Sequence, residues 1–284
     1  MQHQVTLKNG DVLPAIGQGT WYLGEHPNRL EQEMDGIRKG AAAGLRLIDT
    51  AEMYGNGAAE KMVGGAIRTL DRGSLYIVSK VLPGNAGGRA LERALDGSLA
   101  RLGTDYLDLY LYHWRGSYPL EETVAGLEAM KKKGKIRAWG VSNFDTDDME
   151  ELWSVPGGRN CQVNQVLYHV GSRGIEYDLI PWMRAHQVAL MAYCPLAQAG
   201  TLSPGLFHNR TLEQIAENHK VPVTEILLSW VIRNGHTIAI PRSSRAVHTL
   251  SNAHADTVFL TEQELTEIDA ACPAPDRKVP LDIQ

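Results

Sequence analysis

Four side chains stand out because together they could handle a proton. Asp49 ends the run Leu-Arg-Leu-Ile-Asp, with Tyr54 five residues on; Lys80 ends Leu-Tyr-Ile-Val-Ser-Lys; His113 ends Leu-Asp-Leu-Tyr-Leu-Tyr-His. Singly, each has an ordinary explanation. An Asp after a strand caps the next helix, a Lys is solvated, and a His or Tyr packs with its polar atom satisfied. Jointly they have a chemistry. Reducing a carbonyl with hydride needs a proton donor for the oxygen, and a phenol with a pKa of ~10 is a poor acid near neutrality. A neighbouring ammonium favours the phenolate and lowers that pKa, and a carboxylate keeps the ammonium charged and aimed. A neutral imidazole can hydrogen-bond the substrate oxygen and orient it. Tyr54, Lys80, Asp49 and His113 fill these roles in that order.

Such a set works only if the chain brings three strand ends together. The opening Val5-Thr-Leu-Lys-Asn-Gly-Asp-Val-Leu-Pro-Ala-Ile-Gly17 predicts a β-hairpin about Asn9-Gly10. Apolar strand-like runs then recur at 15–20, 46–50, 75–80, 107–113, 136–141, 161–166, 188–193 and 237–241. Helical stretches lie between them. Leu30, Met34, Ile37 and Ala41 share one face, as do Val223, Ile226, Leu227, Trp230 and Val231. Thr211 to Gln214 and Thr261 to Glu264 have the spacing of capping boxes. Near-continuous apolar strands imply a parallel sheet covered on both faces, hence a barrel or a doubly wound sheet. Eight strands favour a (β/α)8 TIM barrel with an N-terminal β-hairpin, in one domain spanning 1–284. In a barrel the chemistry gathers where strands end. That adds Ser142-Asn143, Asn164-Gln165 and Pro241-Arg242-Ser243 to the candidates.

The formal net charge of −5 argues against a nucleic-acid partner. The polar N-terminus and the lack of a long apolar run predict neither a secretory leader nor a membrane span. Cys161, Cys194 and Cys272 are far apart and form no CxxC, which fits a reducing cytoplasm. Neither HExxH nor GxSxG occurs, so no metal is expected. Gly17-Gln-Gly-Thr-Trp-Tyr22 and Gly55-Asn-Gly-Ala-Ala-Glu60 both lack the third glycine of a dinucleotide fingerprint. A cofactor phosphate would instead meet the Arg242–Asn252 segment and the N-terminus of the last barrel helix. The chain is expected to be a monomer.

With these residues in view, the chain resembles the aldo-keto reductase family from Val5 to Asp269. The carrying segments are Gly44-Leu-Arg-Leu-Ile-Asp-Thr-Ala-Glu-Met-Tyr54, Ile77-Val-Ser-Lys80, Leu109-Tyr-Leu-Tyr-His-Trp114 and Lys135-Ile-Arg-Ala-Trp-Gly-Val-Ser-Asn-Phe144. It looks most like compact bacterial members that reduce methylglyoxal and other small aldehydes with NADPH. The resemblance implies Tyr54 as proton donor, Asp49 and Lys80 as its tuning pair, and His113 as substrate orienter. It implies nicotinamide contacts from Ser142, Asn143 and Gln165, with Tyr193 stacked under the ring and Thr20 nearby. Leu196 and Gln198 would approach the pyrophosphate, and Trp21 and Trp114 would wall the substrate pocket. Arg242, Ser243, His248 and Asn252 would hold the adenosine phosphate end. Here the chain departs from the family pattern of a lysine after Ile-Pro and an arginine six residues on, which are Arg242 and His248. Arg242 and Arg245 offer forked donors in compensation, so a preference for NADPH over NADH is expected. Cys194 stands where serine is usual. Two other readings remain: a cofactor-sensing subunit on the same barrel, and a metal-dependent sugar isomerase. The intact set of four opposes the first, and strand ends carrying Ser, Asn, Gln and Arg oppose the second.

Overall fold

The computed structural model describes residues 3–197 and 203–284. Strands β1 (Gln4–Thr6) and β2 (Val12–Pro14) pair antiparallel as the expected hairpin. Eight parallel strands follow: β3 (Gln18–Gly19), β4 (Leu47–Asp49), β5 (Tyr76–Val81), β6 (Leu107–Tyr112), β7 (Ile136–Ser142), β8 (Val163–Leu167), β9 (Ala189–Tyr193) and β10 (Thr237–Ala239). Every residue of β5 and β6 is buried, as a sheet covered on both faces requires.

The sheet curls until its ends meet. Gly17 N donates to Ala239 O at 2.8 Å, Ala239 N to Ala15 O at 2.8 Å, and Gly19 N to Pro241 O at 3.0 Å. The approach is close enough that a Cβ on Gly19 would lie 2.7 Å from Ile240 O, so glycine is what lets the barrel close here. The run at 15–20 yields only a two-residue strand because its other pairings are isolated bridges to 239 and 242.

The helices are α1 (Leu30–Ala42), α2 (Ala58–Ile67), α3 (Gly88–Leu102), α4 (Leu120–Lys132), α5 (Thr146–Ser154), α6 (Leu179–Ala185), α7 (Ser203–Phe207), α8 (Arg210–His219), α9 (Val223–Ile232), α10 (Ala246–His254) and α11 (Glu262–Ala271). Thr261 and Glu264 close the capping box that opens α11. The box expected at Thr211 does not form. Asn209 caps α8 instead, its side chain accepting from the backbone N–H of Thr211 and Leu212. Asparagine reaches the two orphan donors from two residues before the threonine, so the helix begins at Arg210.

The two ends of the barrel differ. The hairpin plugs the end where strands begin: Asn9 N donates to Gln162 Oε1 at 2.9 Å, and Arg137 reaches Asp11 at 3.6 Å. The C-terminal tail crosses the opposite end. Lys278 pairs with Asp178 at 3.0 Å and Asp145 at 3.5 Å, and Ser172 Oγ donates to Asp282.

Candidate active site

At that opposite end lies a cavity of about 460 Å3. Asp49, Tyr54, His113, Ser142, Asn143, Gln165, Tyr193, Thr20, Trp21 and Arg242 all line it, Gln165 from within β8 and the others from a strand's last residue or the loop that follows. Lys80 is sealed behind them with none of its surface exposed.

The hydrogen bonds of Lys80 fix the site's polarity. Its Nζ lies 2.9 and 2.7 Å from the two Asp49 carboxylate oxygens, 2.9 Å from Thr50 O and 3.1 Å from the Tyr54 hydroxyl. An ammonium has three protons, and these acceptors use all of them. The Tyr54 oxygen therefore accepts from Lys80, and its own proton points away from the ammonium. Gln165 Nε2 donates to Asp49 Oδ1 at 2.8 Å, holding the carboxylate from the other side.

Burial governs the charges. It pulls Lys80 below the usual ammonium range, opposed by the charges of Asp49 and Glu60, and pushes Asp49 up, opposed by Lys80. It also pushes the Tyr54 phenol well above its ordinary value, and the Asp49 charge adds to this. This reverses the sequence-based expectation. Taking a phenolate out of water outweighs the nearby ammonium, which Asp49 largely neutralises. Burial and the charge of Lys80 lower the His113 imidazole to about 2, so it is neutral. Its Nδ1 is buried without a partner, and a proton there would be an unsatisfied donor. The proton is therefore assigned to Nε2, the nitrogen left to a ligand in the cavity.

Beside this cluster further polar side chains are held by hydrogen bonds. Ser142 Oγ donates to Gln165 O at 2.8 Å, Asn143 Nδ2 to His113 O at 3.2 Å, and Tyr193 OH to Asn143 Oδ1 at 2.9 Å. Three cavity-side residues without glycine's freedom have left-handed backbones: Tyr22 (φ 63°), Asn143 (φ 57°) and Cys194 (φ 50°). Such strain concentrates where side chains must be aimed.

The remaining expected residues divide. Trp114 does not line the cavity; it is 37% exposed and its ring leans on His113 at 4.7 Å. Leu196 is buried away from the cavity, and Gln198 lies outside the described residues. Ser243 is occupied in the turn before α10, its Oγ donating to Arg245 O and accepting from Arg245 N. His248 is exposed and Asn252 buried, both on α10. Tyr22, Met53, Cys194, Ile240 and Gln284 also line the cavity, and the sequence did not single them out for it. Tyr22 and Cys194 adjoin singled-out residues, a signal that adjacency could have raised; nothing local marks Gln284.

A parallel barrel with tyrosine, lysine, aspartate and histidine gathered in a cavity at its strand ends defines a class of barrel oxidoreductases. The chain belongs to the aldo/keto reductase family, which matches residues 15–272. It is 51% identical over 284 residues to methylglyoxal reductase YeaE of Escherichia coli, covering 100% of both chains. It is 34% identical to glyoxal reductase of Bacillus subtilis, covering 95% of this chain and 93% of that one. Among solved structures, an aldo/keto reductase from Klebsiella pneumoniae in complex with NADP and acetate superposes with a TM-score of 0.97 at 49% identity, over 100% of both chains. Among the described residues no group of three or more His, Cys, Asp or Glu could hold a metal ion, and no helix is long and apolar enough to cross a membrane.

Proposed function

We propose that this chain reduces small aldehydes and dicarbonyls of the methylglyoxal kind to alcohols, using NADPH, as a cytoplasmic monomer. The observation that carries the reading is the Tyr54 oxygen held by the sealed Lys80–Asp49 pair, with its proton left to the cavity. The relatives that reduce methylglyoxal and glyoxal support the substrate class, and the NADP-bound neighbour supports the cofactor.

The residues present fit that cofactor. Ser142, Asn143 and Gln165 offer hydroxyl and amide groups suited to a carboxamide, beside the Tyr193 ring. Arg242, with exposed Arg245, offers cations near the start of α10 for phosphates, and the exposed His248 ring lies on the same helix. When bound, the nicotinamide supplies hydride to the carbonyl carbon. The chain does the rest. His113, neutral, donates through Nε2 to the carbonyl oxygen and fixes its approach. Tyr54 gives its proton to that oxygen as negative charge builds. Lys80 donates into the resulting phenolate, and Asp49 keeps Lys80 charged. Trp21, stacked on Tyr22 at 4.5 Å, narrows the mouth and favours small or flat substrates.

The test is NADPH consumption across an aldehyde panel with the protein and its Tyr54→Phe variant. Methylglyoxal or a similar small aldehyde is expected to outperform large steroids in kcat/KM. The variant should lose about 10²–10⁴-fold in turnover while still binding NADPH. A variant that keeps more than half its turnover would overturn the assignment.

A further inference from the structure

One buried carboxylate has no part in this scheme. Glu60, on α2, exposes none of its surface. Its Oε1 accepts from Ser79 Oγ at 2.6 Å, and its Oε2 from Arg101 Nε on α3 at 2.6 Å. Ser79 directly precedes Lys80 on β5, and successive strand residues point to opposite faces. Glu60 therefore grips the outer face of the strand at the point where the inner face carries the lysine.

We propose that Glu60 is a positioning residue for the proton donor, fixing β5 at Ser79 and setting a second carboxylate behind Lys80. The inference rests on the roles given above to Lys80 and Tyr54. Burying a carboxylate is costly unless it is well paired, and the pairing here is uneven. Arg101 is 26% exposed, so water weakens its charge, whereas Glu60 is wholly enclosed on the strand side. The charge of Glu60 opposes the burial that lowers Lys80 from the usual ammonium range. The groups facing Lys80 are Asp49 from β4, Tyr54 from the loop after it, His113 from the end of β6, and Glu60 from α2. Those facing Glu60 are Ser79, Arg101 and the buried Tyr110 hydroxyl of β6, on which Glu52 also acts.

The test is the pH profile of single-turnover reduction, which isolates the chemical step from product release. Glu60→Gln keeps the shape and an acceptor for Ser79 but removes the charge. Its basic limb is expected to move to lower pH, with about a threefold loss of rate at the alkaline end relative to its own neutral plateau. Arg101→Gln, which takes away the cation facing the same carboxylate, is expected to move the limb to higher pH. Opposite displacements support the inference. Limbs that stay with wild type while only thermal stability falls, or that move in the same direction, overturn it. Should Glu60→Gln fail to fold, Arg101→Gln decides alone. Lys80→Met serves as the control. A wild-type rate and profile in that variant sinks the underlying roles of Lys80 and Tyr54, whereas a changed profile there with none from Glu60 or Arg101 sinks only this inference.

Discussion

Tyr54 and His113 are both held in the protonation states that carbonyl reduction uses. Burial keeps the Tyr54 phenol protonated beyond its ordinary range, so at neutral pH it is a loaded acid. In the proposed scheme Lys80 contributes most after the proton has left, when its N–H meets a full negative charge rather than a phenol. The imidazole of His113, lowered to about 2, stays neutral throughout the working range. The single-turnover rate should therefore be flat between about pH 5 and 8, with no inflection near the ordinary histidine value of about 6.5. An inflection there that disappears in His113→Gln would contradict the neutral assignment. Asp49, Lys80 and His113 were legible in the sequence because each ends an apolar run, and a barrel brings strand ends together. Tyr22 and Cys194 were not, because their place at the cavity depends on left-handed backbone turns that residue type does not announce. The direction of Tyr54's perturbation was also hidden, because it depends on burial rather than on neighbours in the chain.

At the scale of elements, the proposed choice of cofactor falls to β10 and α10. Arg242 follows β10 and lines the cavity, while Arg245 and His248 lie exposed at the start of α10. A 2′-phosphate carries nearly two charges and suits a guanidinium fork, and one charge-assisted bond is worth roughly 1.5–3 kcal/mol. A preference for NADPH over NADH of at least about 10-fold in kcat/KM is expected. Arg242→Ala should lose most of it while leaving NADH kinetics nearly unchanged. Equal efficiency of the two cofactors in the wild type, or equal loss with both in the variant, would show that this segment does not read the phosphate. The order of elements was legible because eight runs alternate with amphipathic stretches. Their ends were less so. The start of α8 belongs to Asn209, one of several side chains near that point able to cap it, and only the path of the backbone selects it.

For the whole molecule, two buried histidines contribute to the response to acid. The folded-state values of His113 and His169 are lowered by burial to about 2 and about 4, below the ordinary value of about 6.5 in the unfolded chain. The unfolded chain thus takes up protons first as pH falls. The stability tied to these rings is complete above about pH 6.5, and is lost at up to about 1.4 kcal/mol per pH unit for each ring. The loss runs down to about pH 4 for His169 and further for His113. Thermal unfolding followed from pH 7 to 4.5 should show a smaller drop for His113→Gln than for wild type. Parallel curves would mean that the imidazole is not held neutral. The contacts of the C-terminal tail were not legible in the sequence. That Asp282 reaches Ser172 and Gln284 reaches the cavity follows from its anchoring by Lys278, which nothing in the tail's own composition prescribes.

The enclosure of Lys80 also constrains timing. With no surface exposed, the ammonium offers no back door to solvent. Once Tyr54 has surrendered its proton in the proposed scheme, the described residues leave a replacement to arrive from the cavity side, by the passage the alcohol itself must vacate. Departure of the product and recharging of the acid are then successive uses of one doorway, and the enzyme cannot be rearmed while the last molecule it made still stands in it.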